Sequence, residues 1–329
     1  MHLNSTQAIL QLIPFGEDTK ELKRYHAGGS ASFTMLRYAQ ARFSAYPNII
    51  WCISNDREIV DKDTPLTGRR ITKQNIDIIG KDMAEREPWG TLITNHLSRF
   101  KGYSFINSSW SDIITLEDLD QVDGRIIAQY RSKTQAPIVN DEDRYEIYRN
   151  PEYPRYYFRQ LMWASLLSGG HATYGGISTS VPFEKDSLMG VQGYFDVGLE
   201  GGDDFKFISK FFNESDLTLV NMLPDDKLTG NDPQRFKCIH SDSVYIIYVA
   251  NPDKTGRPEK PGDKSTEIRS SNESSKIESV AVNLPEYPFS VKWYDPSTGL
   301  WSKAGTVKGG LSEINAPDPG DWILLLTKN

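Results

Sequence analysis

Two short stretches place carboxylates directly behind apolar strands. Asn48–Glu58 reads NIIWCISNDRE, an apolar run that ends in Asn55, Asp56 and Arg57. Ala136–Glu146 reads APIVNDEDRYE, in which Pro137, Ile138 and Val139 run into Asn140, Asp141, Glu142, Asp143 and Arg144. A strand that delivers charge at its end puts it at the mouth of a sheet, where α/β barrels carry out their chemistry. Two carboxylates on one rim could cleave a glycosidic bond: one protonates the leaving oxygen, the other attacks the anomeric carbon. Asp56 and Glu142 are the candidate pair, with Glu58 and Glu146 as their respective rivals. The bland alternatives are a turn cap for Asp56 in NDRE and a surface acid for Glu142 in DED.

Other polar and aromatic residues fall where a sugar could meet them. Asn55 can donate to a hydroxyl beside the acid. His96 and His171 lie at strand ends, while Trp110, Tyr145 and Tyr174 offer rings or hydroxyls. The same aromatics suit a core equally well. Five histidines and two cysteines are scattered without ligand spacing, so no metal is expected. Neither a glycine-rich phosphate loop nor a G-x-S-x-G elbow is present, and no cofactor is expected.

The elements that must position these residues alternate. Strand candidates are Gln7–Phe15, Ile49–Ser54, Thr91–Thr94, Asp112–Leu116, Pro137–Val139 and His171–Gly176. Helices are expected over Ser32–Tyr46, Thr72–Glu87, Leu119–Lys133 and Tyr153–Leu167, the first two stopped by prolines. This order predicts a parallel α/β sheet to about Gly176. After Phe205 the pattern changes to strands separated by turns, at Leu217–Met222, Ser243–Val249, Lys276–Val282, Ser290–Tyr294 and Trp322–Leu326. With no helix expected there, the C-terminal part reads as an antiparallel β-sandwich interrupted by a polar loop over Asn251–Ser275. The expected domains are 1–204 and 205–329.

Taken together, these motifs resemble the apiosidase-like glycoside hydrolases. The likeness lies in W-x-x-x-N-D-R (Trp51 to Arg57), P-x-V-N-D-E-x-x-Y-E (Pro137 to Glu146) and an aromatic helix with a late Trp163 running into HATYGG. At the C-terminus W-x-D-P-x-T-G (Trp293 to Gly299) and D-W-x-L-L-L (Asp321 to Leu326) add to it. The resemblance implies a (β/α)8 TIM-type barrel followed by a small β-sandwich. It also implies acid/base catalysis from the end of strand 4 and nucleophilic attack from strand 7, the positions of Asp56 and Glu142. Counted so, the chain carries strands 3–8, an N-terminally incomplete barrel that an upstream segment or a second subunit would complete. The loop after His96 keeps Trp110 and Asp112 but lacks the family's later glutamine. The expected activity is retaining hydrolysis of polysaccharide side chains, and the alternative is a non-catalytic carbohydrate-binding protein.

Composition narrows the partners. A formal net charge of −7 argues against nucleic acid, and no stretch is apolar enough to span a membrane. Cys52 and Cys238 read as buried small hydrophobes without a mutual disulfide. The N-terminus lacks the features of a signal peptide. Export is implied by the resemblance alone, which leaves the localisation open.

Overall fold

The computed structural model describes residues 9–16, 20–25, 29–97, 102–117, 122–142, 146, 155–176, 199–252 and 274–329. They divide into two compact units. One comprises residues up to 118 with 134–141, the other 119–133 with 142–329.

The first unit is built on short parallel strands. β1 (Leu10–Leu12) pairs with β2 (Ile49–Cys52), and Leu10, Gln11 and Leu12 lie opposite Ile49, Ile50 and Trp51. α1 (Ala31–Phe43) connects them; its N-cap Ser30 accepts the Phe33 N–H at 3.1 Å. A second parallel pair follows, β3 (Glu58–Val60) with β4 (Arg70–Thr72), in a segment with no expected strand. Its three-residue strands are too short to show alternation. Thr72 then caps α2 (Lys73–Glu85), whose buried Ile76, Ile79, Gly80 and Met83 follow the helical repeat. β5 (Ile93–Thr94) lies parallel to β2. β6 (Ile114–Leu116) and β7 (Ile138–Asn140) pair in parallel.

Side chains join β5 to β6. The Asp112 carboxylate accepts the Ile93 N–H at 2.8 Å, and Thr94 Oγ1 bonds the Ile113 carbonyl at 2.7 Å and Thr115 Oγ1 at 2.9 Å. Tyr103, beside Ser111 and Thr94, is buried, and burial pushes its hydroxyl up to about 12.

The second unit contains α3 (Arg125–Arg131), α4 (Arg155–Leu167), β8 (His171–Ala172) and α5 (Phe205–Ser215). Helix α5 stands where no helix was expected. Its Phe207, Ile208, Phe211 and Phe212 form one apolar face, a periodicity hidden by the lysines between them. The expected strand Leu217–Met222 is instead a turn segment beyond the left-handed cap at Asp216, with Leu217, Leu219 and Met222 packed on the core.

The remainder is antiparallel. β9 (Leu223–Pro224), β10 (Phe236–His240), β11 (Val244–Val249), β13 (Phe289–Asp295), β14 (Leu300–Val307) and β16 (Trp322–Lys328) form one sheet in the order β14-β13-β16-β11-β10-β9. β12 (Ser279–Leu284) and β15 (Gly310–Asn315) form a separate ribbon. The apolar run of β16 is explained by burial on both faces. Trp322, Leu324 and Leu326 join a core with Val280, Val282 and Ile314 of the ribbon. Ile323 and Leu325 join another with Trp163, Leu167 and Phe211 of α4 and α5. Helix α4 therefore packs with the C-terminal sheet, and the packing does not break at residue 205.

A buried ion network fastens α4. The Arg159 guanidinium donates to both Asp321 oxygens at 2.6–3.1 Å and to Asp204 at 2.8 Å, while Tyr248 donates to Asp321 at 2.8 Å. Burial opposes the Arg159 charge, but the carboxylates outweigh it and hold the group protonated. Both cysteines are buried free thiols, each pushed up by burial. No helix among the described residues is long and apolar enough to cross a membrane.

Candidate active site

In the first unit, polar residues follow β2, β5, β6 and β7 at their C-terminal ends. Asp56 comes four residues after β2 and is 7 % exposed, with a backbone φ of 47°. Its Oδ2 is ion-paired with Arg69, from the turn that leads into β4. Its Oδ1 is buried and has no hydrogen-bond partner among the described residues. A buried carboxylate oxygen without a donor is costly to the fold and is the kind of exception found at reactive sites.

His96, after β5, is buried, and its Nδ1 accepts the Asp56 N–H at 3.2 Å. That acceptor role assigns the proton of a neutral ring to Nε2, which lies 3.3 Å from the Asp141 carbonyl. His96 thus ties together the backbone at the ends of β2 and β7. Beside it, Asn95 Oδ1 accepts from the Ser54 N–H at 3.1 Å and from Ser54 Oγ at 2.7 Å. Across the same unit Gln11 of β1 donates to the Asp141 carboxylate at 3.1 Å. Arg57 is fully buried and donates to the Gly16 carbonyl. Asn55 is half-buried next to Asp56.

In the second unit, Glu142 is partly exposed, and its N–H donates to Thr173 Oγ1 at 3.0 Å. Its φ is 70°. Among the described residues, the other non-glycine residues at positive φ, besides Asp56, are Asp216, Asn221 and Asn231, types that enter this region most readily. Glutamate does so rarely, at a cost of roughly 1–2 kcal/mol. Glu146, its rival, has both oxygens engaged. They accept from the Tyr174 hydroxyl, the Glu200 N–H at 3.0 Å and the Gly201 N–H at 2.8 Å. Tyr174 therefore orients Glu146. Its own hydroxyl is pushed up by burial and by that carboxylate.

Two expected substrate contacts are corrected. Trp110 is 1 % exposed; its indole N–H donates to Asp77 at 2.9 Å, and its ring lies on α2 over Gly80. A ring buried in that way has no face for a sugar. His171 is the first residue of β8, at the strand end opposite to Tyr174. It lies near Arg131 of α3, and burial followed by that positive charge pushes its imidazole down. It stands at the N-terminal end of its strand, whereas Asp56 and Glu142 follow the C-terminal ends of β2 and β7. Tyr145 lies outside the described residues.

Arg69 and Asp141 were not singled out as site residues. Arg69 stands in the turn sequence TGRR, which carries no periodic signal. Asp141 could have been found from its place directly behind β7, as Glu142 was.

The apiosidase-like catalytic domain model matches residues 20–218, well over half of the chain and a span that includes both carboxylates. The chain belongs to the apiosidase-like family. This family assignment makes the protein a glycoside hydrolase. Among solved structures, it is similar to a glycoside hydrolase family 5 protein from Bacteroides vulgatus (TM-score 0.73, 14 % identity, 98 % of this chain and 71 % of the other). A second glycoside hydrolase gives a TM-score of 0.66 at 15 % identity over 89 % of this chain and 67 % of its own. A family 27 β-L-arabinopyranosidase from Geobacillus stearothermophilus gives 0.50 at 11 % identity, over 92 % and 63 %. The chain thus spans roughly two thirds of the length of these structures, and the likeness is one of fold. No curated protein sequence matches it.

Proposed function

We propose that this apiosidase-like protein is a retaining glycoside hydrolase acting on the side chains of plant or microbial polysaccharides. The six short strands β1, β2, β5, β6, β7 and β8 are read as barrel strands, and the C-terminal sheet with its ribbon as the accessory sandwich. Asp56 is the acid/base and Glu142 the nucleophile. The observation that carries this reading is that both carboxylates follow apolar strands, with Glu142 held at a positive φ that glutamate rarely adopts.

In the first step Glu142 attacks the anomeric carbon while the glycosidic C–O bond breaks, and the Asp56 proton passes to the leaving oxygen. In the second step Asp56 takes a proton from water, the resulting oxygen attacks the same carbon, and Glu142 leaves. Asn55, adjacent to the acid, is the expected hydroxyl donor. The Arg69 guanidinium favours the ionised form of Asp56 in the resting protein. Its pairing must therefore yield before the acid can carry a proton. That contact is also what favours the second reading, a carbohydrate-binding protein without turnover.

The test compares substrates of different leaving-group quality. Glu142→Ala should lower turnover of natural and activated aryl glycosides alike, by roughly 10^4-fold or more. Asp56→Ala should retain first-step activity on the activated substrate, and azide should rescue its second step as a glycosyl azide. In a complex with a substrate analogue the two carboxyl groups should lie about 5–5.5 Å apart. Normal hydrolysis of an activated glycoside by Glu142→Ala would refute the assignment.

A further inference from the structure

The C-terminal sheet carries a cavity of about 670 Å³, built from residues that the catalytic proposal does not use. Helix α5 covers the β13–β16 face only as far as Ser215. There the left-handed cap at Asp216 turns the chain away. Beyond the helix end the same face continues, and Lys292, Leu325 and Thr327 floor a cavity walled by Leu217, Glu214 and Trp301.

The chemistry of this lining is specific. Trp301 is preset: its indole N–H donates to Glu214 at 2.8 Å, and its ring stacks on Phe211 at 5.4 Å and 28°. An aromatic plane held in place loses little freedom when a ligand covers it. The Lys292 ammonium lies 6.0 Å from the centre of that ring and forms no ion pair among the described residues, the Glu214 carboxylate being paired with Lys210 at 3.8 Å. Its N–H groups are donors. Thr327 adds a hydroxyl that has no hydrogen-bond partner among the described residues.

We propose that this cavity is a saccharide-binding subsite. A sugar presents an apolar C–H face to an aromatic ring and a rim of hydroxyls to donors and acceptors, and Trp301, Lys292, Glu214 and Thr327 supply both. A purely apolar ligand would strip water from Lys292 and Glu214 without replacing it. A simple anion would meet the Glu214 carboxylate. The volume falls within the range of small-molecule sites, roughly 300–1,000 Å³, and leaves room for a short oligosaccharide.

Affinity electrophoresis of the full chain, in gels containing soluble xylan, arabinogalactan or polygalacturonate, tests the proposal without requiring turnover. The chain should be retarded by at least one of these polymers. Trp301→Ala should weaken that retention at least tenfold, with hydrolysis of a small aryl glycoside unchanged. Because Trp301 packs on Phe211 and Tyr294, the double variant Lys292→Ala/Thr327→Val provides a test that leaves the core intact, and it should show the same loss. The proposal is overturned if the chain migrates unretarded in all three gels, or if the double variant is retained as strongly as the parent. Repeating the comparison in the Glu142→Ala background separates the two proposals, since retention there is independent of catalysis.

Discussion

Two buried carboxylates, Asp321 in the second unit and Asp56 in the first, are held in opposite ways. Around Asp321 every charge is answered: Arg159, Asp204 and Tyr248 complete one another at 2.6–3.1 Å. Around Asp56 one carboxylate oxygen is buried without a donor, and the backbone is left-handed. The strands differ in the same sense, two to four residues long in β1, β2, β5, β6 and β7 against five to eight in β10, β11, β13, β14 and β16. Long regular strands with answered charges are what a stable support requires. Short strands that end in an incompletely satisfied acid are what the proposed catalytic role requires, stability being given up to present a reactive group.

The sharpest way to break this comparison is to remove a charge from the answered network. Asp321→Ala strands a buried guanidinium and should cost about 3–5 kcal/mol, read by urea unfolding. By contrast, Asp56→Asn should change stability by less than about 1 kcal/mol, because its one ion pair is to a half-exposed arginine. Equal losses at the two sites would end the distinction.

A packing test is expected to have a smaller effect. A Cβ at Gly80 would lie 2.2 Å from the Trp110 ring. Gly80→Ala should therefore cost about 1–3 kcal/mol. A neutral result would show that Trp110 can leave α2, and would reopen its availability to a sugar.

The smallest expected effect bears on strain itself. Glu142→Gly removes the left-handed penalty and should raise stability by about 0.5–1 kcal/mol while abolishing turnover. A destabilised Glu142→Gly protein would mean that the glutamate stabilises its loop, contrary to a strained catalytic position.

Much of the fold was legible because period and punctuation agree. Pro47 and Pro88 stop the first two helices, and the apolar runs IIWC and PIV could only be buried strands. The strand-end positions of Asp56 and Glu142 were legible for the same reason, since both acids follow those apolar runs within a few residues. Helix α5 was missed because lysines interrupt its apolar face. β10 and β15 were missed because neither alternates apolar-in and polar-out: Lys237 of β10 is buried beside Cys238 and Ile239, and Leu311 of β15 is exposed.

By itself the sequence determined the alternation of elements in the first half, the β-rich second half, and Asp56 and Glu142 as strand-end acids, because those features depend on neighbours within a few residues. Tertiary structure alone decided which polar groups meet. Arg69 reaches Asp56 across 13 residues, Gln11 reaches Asp141 across 130, and Arg159 reaches Asp321 across 162. It also sent Trp110 into the core, because burial is set by what packs against an element, which local spacing does not encode.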